Sequence, residues 1–147
     1  MIELSIKSKP ENVALACAQA RNAAIDAGMP DKAVSDLELA VSEAVTNSME
    51  HGYQWQEDQD ILIKIETLNN QLVVDIYDQG SPISANLFDN IDENFEEPES
   101  ESLDQVADQI ALLAEGGRGL KIIKALVDDI HSEHKDGCNI LKLIKNL

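Results

Sequence analysis

The stretch Asp36-Leu-Glu-Leu-Ala-Val-Ser-Glu-Ala-Val-Thr-Asn-Ser-Met-Glu-His51, followed at once by Gly52, constrains this chain more than any other. Leu37, Val41, Ala44, Val45 and Ser48 recur at spacings of three and four, which on a helix makes one narrow, mostly apolar stripe. Glu43 and Asn47 are four apart, so they stack on a neighbouring face beside that stripe. A carboxylate and an amide at the margin of a core face sit at the floor of a cleft. Gly52 reads as the residue that stops the helix. An ordinary amphipathic helix with solvated polar residues shares this pattern, so the rest of the chain must decide.

Around this helix the hydrophobic period alternates between two values. Ile2, Leu4 and Ile6 alternate with polar residues as a half-buried first strand. Ser8-Lys-Pro10 opens an alanine-rich helix to about Ala27, with Gly28 as its stop and Val13, Cys17, Ala20, Ala24 and Ala27 as its packing face. The helix of Glu43 and Asn47 follows, capped near Asp31. Ile61, Ile63 and Ile65, the turn Asn69-Asn70, and Leu72, Val74 and Ile76 make a β-hairpin that ends at Asp78-Gln-Gly80-Ser-Pro82. Ser102-Leu-Asp-Gln105 reads as a capping box opening a short helix. Glu115-Gly-Gly-Arg-Gly-Leu120 leads into another, with Ile122, Ile123, Leu126 and Val127 inward. A last hairpin starts at about Ile130 and turns at Lys135-Asp-Gly137. Strand, helix, helix, hairpin, helix, hairpin suits an α+β two-layer sandwich, with helices on one face of a mixed, mostly antiparallel sheet. Its 147 residues, without repeat or linker, fit one domain.

Charge narrows the partners. The 28 acidic residues against 11 basic give a net charge of -17, which argues against nucleic acid or an anionic membrane. Basic proteins and magnesium-bound anions remain. Cys17 and Cys138 lack CxxC spacing and read as free thiols of a cytosolic protein. The absence of a leader pattern or a long apolar run points to a soluble, cytoplasmic protein.

Three short motifs stand in order: Glu43-Ala-Val-Thr-Asn47, Asp78-Gln-Gly80 and Gly117-Arg-Gly119-Leu120. Each alone has a plain structural explanation, as a helix face, a turn and a tight loop. Together they suit a nucleotide. Glycines before a helix turn backbone N–H groups and the positive helix end toward phosphates. An Asn carboxamide oxygen can complete a magnesium shell, and an Asp at a core edge can accept from an adenine amino group. A Glu one turn before the Asn can take a proton from an attacking hydroxyl or water. No GxxxxGK[ST] is present, and Gly116-Gly-Arg-Gly119 lacks the preceding strand of a dinucleotide fold.

The set resembles the ATPase superfamily of histidine kinases, GyrB and MutL, and within it the anti-sigma factor serine-protein kinases of RsbW type. The phrases that carry the resemblance are Leu39-Ala-Val-Ser-Glu-Ala-Val-Thr-Asn-Ser-Met-Glu-His-Gly-Tyr53, Val73-Val-Asp-Ile-Tyr-Asp-Gln-Gly-Ser-Pro82 and Gly116-Gly-Arg-Gly-Leu-Lys-Ile-Ile-Lys-Ala-Leu-Val-Asp128. The resemblance implies ATP and Mg2+ as cofactors, Glu43 as catalytic base and Asn47 as magnesium ligand. It implies Asp78 on the adenine, Gly80 in the adenine-side loop, and Gly117, Arg118, Gly119 and Leu120 at the phosphates. It further implies a STAS-type anti-sigma antagonist as phosphoryl acceptor, a sigma factor as its competitor, and a homodimer.

One departure keeps other functions open. Between Ile65 and Gly117 there is no Lys or Arg, and Asp89, Asp92, Glu93, Glu96, Glu97, Glu99, Glu101 and Asp104 crowd the expected ATP lid, about residues 84–116. Such a run is expected to be mobile and to repel a triphosphate. It equally suits a plain solubilising loop. A regulatory module that binds nucleotide without phosphorylating its partner is the main alternative, and a bare ATPase or sensor-kinase fragment the third.

Overall fold

The computed structural model describes residues 1–81 and 118–147, with the side chains of Arg118 and Gly119 outside the description. The acidic run, the helix expected after Ser102, Gly117 and the remainder of the expected lid lie outside the described residues.

Inward Ile, Leu and Val at every second position mark most of the strands, while the edge strand Asp129–Lys135 is largely polar and exposed. The strands are β1 (Ile2–Lys7), β2 (Asp60–Leu68), β3 (Gln71–Asp78), β4 (Asp129–Lys135) and β5 (Cys138–Asn146). They form one sheet in the order β1-β2-β3-β5-β4. All four pairings are antiparallel, so the expected mixed sheet has no parallel pair among the described strands. The reason is topological. The return from β3 leads to β4 at the far edge, and β5 then folds back between them, so the two parallel strands never touch. Asn69 and Asn70, at φ 54 and 61, and Asp136 and Gly137, at φ 54 and 78, close the two hairpins. Left-handed pairs of this kind match the twist of the strands they join.

The helical layer holds α1 (Val13–Asp26), α2 (Asp31–Asn47) and α3 (Arg118–Leu126), with α2 packed between the other two. A 3-10 turn at Pro10–Asn12 leads into α1. The buried face of α1 is Ala16, Ala20, Ala23 and Ala24; Ala20 and Ala24 stand as expected and Val13 packs against the core from the side, while Cys17 and Ala27 are only half-buried. A helix with alanines at so many positions offers several small-residue faces, and the close approach to α2 selects among them. Pro30, not an Asp31 side chain, occupies the N-cap of α2. Asp31 is its first residue and acts on the helix dipole instead.

Between the layers lie Ile63, Ile76 and Leu141 in one cross-strand row and Ile65, Val74 and Leu143 in the next. Leu37, Val41, Ala44 and Val45 of α2 press on them from above, with Leu120, Ile123 and Val127 at the α3 side. Each fully buried Ile or Leu contributes about 1.5–3 kcal/mol relative to exposure. Cys17 and Cys138 are both free thiols. No described helix is long and apolar enough to cross a membrane.

The outer sheet face carries a charged row across three strands, Lys64, Asp75 and Lys142. Burial pushes the Asp75 carboxyl up from its ordinary value, against the pull of Lys142 and Lys64. Its Oδ1 is buried without a hydrogen bond among the described residues, 3.9 Å from the Lys142 ammonium. A carboxyl raised on folding contributes stability below its unfolded pKa and loses it as pH rises through the folded value. Asp75→Asn is therefore expected to raise the melting temperature at pH 7. The gain should shrink as the pH falls toward 3.8, which a pH series of thermal melts of both proteins measures.

Candidate functional site

Asp78 is where the alternation of β3 ends. Leu72, Val74 and Ile76 point into the core, and Asp78 takes the next inward position with only 3% of its surface exposed. A carboxylate so placed must be satisfied by its neighbours. Its Oδ1 accepts the Gly80 N–H at 3.0 Å and the Asn139 amide at 2.8 Å. Asn139 faces it directly across the β3–β5 register.

Two glycines let the end of β3 meet the end of α2. A Cβ on Gly52 would lie 2.7 Å from Asp78 Oδ1, and one on Gly80 would lie 2.0 Å from the Gly52 carbonyl oxygen. That closeness lets the Ser81 N–H donate to the same Gly52 oxygen at 2.7 Å. Tyr53 fastens the junction further, donating its hydroxyl to the Asp60 carbonyl at 2.6 Å and accepting the Gln79 N–H at 2.7 Å. Burial pushes the Tyr53 pKa up, with the Gln79 N–H pulling the other way. A cavity of about 240 Å³ opens beside the junction, lined by Tyr53, Gln79, Gly80 and Ser81 among others.

The helix does not stop as its sequence suggests. The α-helical turns end at Asn47, and Ser48–Gly52 continue as one wider π turn. Tyr53 N–H bonds the Ser48 carbonyl at 3.0 Å, five residues back. The wide turn buries Asn47, Ser48 and Met49 in succession, which a regular helix with a narrow inner stripe does not do. Gly52 thus passes the chain close beside Asp78 rather than capping a helix. Such turns recur at functional sites.

Asn47 is 5% exposed and its Nδ2 has no hydrogen-bond partner among the described residues. An unmet buried amide costs about 1–3 kcal/mol, so the position suits a ligand that completes it. Half a rotation exchanges the amide oxygen and nitrogen. Glu43, half-buried, lies one turn earlier on the same face. Among the described residues no three His, Cys, Asp or Glu side chains form a metal cage. The donors at hand nonetheless fit magnesium, which takes one or two protein oxygens and fills its shell with phosphate and water. His51 has its Nε2 3.6 Å from Glu50 Oε2, beyond hydrogen-bond range.

Of the residues expected at the phosphates, Gly117 lies outside the described residues. Arg118 and Gly119 open α3. Leu120 is 3% exposed and belongs to the core, so only its backbone can serve an anion. The structure thus joins Gly80 to Asp78, and sets Glu43 and Asn47 together on α2. Sequence reasoning missed Gly52, Tyr53 and Asn139 as parts of this junction. Asn139 left a signal, because it breaks the inward series that Leu141 and Leu143 continue.

Comparison with known proteins places these features in company. A family profile described as a histidine kinase-like ATPase domain matches residues 6–145. A serine-protein kinase RsbW from Listeria monocytogenes is 30% identical over 140 residues, covering 95% of this chain and 83% of that protein. The serine-protein kinase RsbW of Bacillus subtilis is 27% identical over 139 residues, covering 95% and 81%. A crystal structure of the RsbU and RsbW domains of a Mycobacterium tuberculosis protein superposes on all of this chain at a TM-score of 0.60, with 18% identity. This chain spans 33% of that one, and the likeness establishes the fold.

The glycine junction makes its own prediction. Gly80→Ala places a methyl group against backbone that cannot swing aside, so it should destabilise the protein by about 1–3 kcal/mol or more. Gly52→Ala meets a side chain rather than backbone, and should cost less, chiefly by straining the two hydrogen bonds on Asp78 Oδ1. Urea denaturation of both variants ranks them.

Proposed function

Because the chain belongs to the histidine kinase-like ATPase family, and within it to the RsbW-type serine-protein kinases, we propose that it transfers the γ-phosphoryl group of ATP to a serine or threonine of a partner protein. The observation that carries this reading is the buried Asn47 amide nitrogen, without a partner among the described residues and one helical turn from the Glu43 carboxylate. A binding group and a base on one rigid helix keep their mutual geometry, which is what phosphoryl transfer requires of a protein.

In this reading Asp78 accepts the adenine amino group at one end of the site, held still by Gly80 and Asn139. Asn47 presents its carboxamide oxygen as the protein ligand of Mg2+. When bound, the ion would neutralise charge on the phosphate oxygens. Glu43 takes the proton of the acceptor hydroxyl as its oxygen bonds the γ-phosphorus. The bond from that phosphorus to the bridging oxygen breaks, ADP leaves, and Glu43 returns its proton to solvent. Backbone N–H groups from Gly117 to Leu120, at and before the start of α3, are assigned to the phosphates. The partner is an antagonist of STAS type, and a sigma factor competes for the same kinase. A net charge of -17 favours partners with a basic docking face.

A regulator that binds nucleotide without transferring phosphate is the second reading, favoured by the eight carboxylates between Asp89 and Asp104 with no basic residue among them. Labelled ATP, magnesium and candidate antagonists separate the two readings, since only the kinase labels a partner. Glu43→Ala should slow transfer by roughly 10²–10⁴-fold while leaving nucleotide binding nearly intact. Asn47→Ala should remove the magnesium-dependent part of the thermal shift that ATP produces. Full transfer activity in Glu43→Ala would reduce Glu43 to a core-edge carboxylate.

A further inference from the structure

Asn139 does more than face Asp78. It is buried on β5, and its amide nitrogen lies 2.8 Å from Asp78 Oδ1, 2.8 Å from the Ser81 carbonyl and 3.4 Å from the Gly80 carbonyl. Its two N–H groups thus face these three oxygens. Turned over, the carboxamide would set its own oxygen against all three, so the nitrogen is fixed toward Asp78. The amide oxygen then points the other way, 3.0 Å from Nδ1 of His134. Two acceptors cannot bond each other, so His134 Nδ1 must carry a proton. His134 is exposed on the edge strand β4, opposite Asn139 in the β4–β5 register.

The consequence falls on Asp78. Its Oδ1 receives two donors, Gly80 N–H and Asn139 N–H, while Oδ2 receives none among the described residues. Rotation of the carboxylate would sacrifice both bonds. One oxygen is thereby assigned to the protein and the other is left as an acceptor. A fixed anionic acceptor favours a base with an amino group at its 6-position and disfavours one with a carbonyl there, because two acceptors repel.

We propose that Asn139 is a positioning residue for purine selection. It holds Asp78 so that Oδ2 alone reads the base, and His134 fixes the direction of the Asn139 carboxamide from the protein surface. The proposal rests on the reading in which Asp78 meets adenine, and adds the two residues that make the choice of base sharp. The substrate class it specifies is a 6-aminopurine nucleotide.

The test is calorimetric titration of the full chain with ATP and with inosine triphosphate in magnesium, which differ at the 6-position. Wild type should prefer ATP, and Asp78→Asn should lose that preference. Asn139→Ala should reduce the ratio of affinities by roughly 10- to 100-fold, the effect of losing a hydrogen bond to a charged group. His134→Ala should reduce it by roughly two- to tenfold, and His134→Gln, whose amide can still donate, should restore it. Because His134 is exposed, this pair decides the matter even if Asn139→Ala fails to fold. If Asp78→Asn loses the preference while Asn139→Ala, or both His134 variants, keep the wild-type ratio, the proposal falls and the adenine assignment stands. If Asp78→Asn keeps the preference, or wild type shows none, both fall together.

Discussion

The close approach of two backbones, Gly52 at the end of the π turn and Gly80 just past β3, is the constraint on which the site depends. Without it the helical layer and the sheet would share a core but not a corner. The Ser81 N–H to the Gly52 carbonyl converts general hydrophobic packing into a fixed distance between α2 and Asp78. Hydrophobic burial is non-directional and sets how strongly the layers adhere. Hydrogen bonds between backbones set where they adhere. Tyr53 repeats the principle a few ångströms away, tying the start of β2 to the end of β3 through one hydroxyl.

What the sequence revealed and what it hid follow a physical line. The stripe of α2, both hairpins and the inward position of Asp78 were legible because each depends on side-chain period and local turn chemistry. The left-handed turns at Asn69-Asn70 and Asp136-Gly137 are local events of that kind. The buried face of α1 was legible only in part, at Ala20 and Ala24, since alanine spacing alone does not fix which neighbouring positions turn inward. Nor was the role of Gly52, which is decided by a segment far along the chain at Gly80. Asn139 lay between these cases. Its inward register could be read, while its partners could not. Glu43 and Asn47 were legible as a pair on one helix, and the unmet amide of Asn47 became visible only once its surroundings were known.

The two faces of the sheet use polar residues in opposite ways. Inside, Asp78 and Asn139 end an otherwise apolar pattern and are joined by short bonds to each other and to nearby backbone. Outside, Asp75 sits between Lys64 and Lys142, and Lys64 also lies 5.1 Å above the ring of Tyr77. The inner pair is held by geometry and the outer row by longer-range charge. Salt weakens the second far more than the first.

The position of β5 has a consequence for how the chain comes into being. It lies in the interior of the sheet, between β3 and β4, yet it follows the other four described strands in the sequence. Until it arrives, β3 presents an open edge with Leu72, Val74 and Ile76 beside it, and open edges recruit other strands. Early sheet formation therefore stops at β1, β2 and β3, and the closing hairpin must find its place against a waiting edge. The same event that seals this edge delivers Asn139 to Asp78. A nascent chain cannot hold the Asp78 carboxylate in place before this edge of its sheet is sealed.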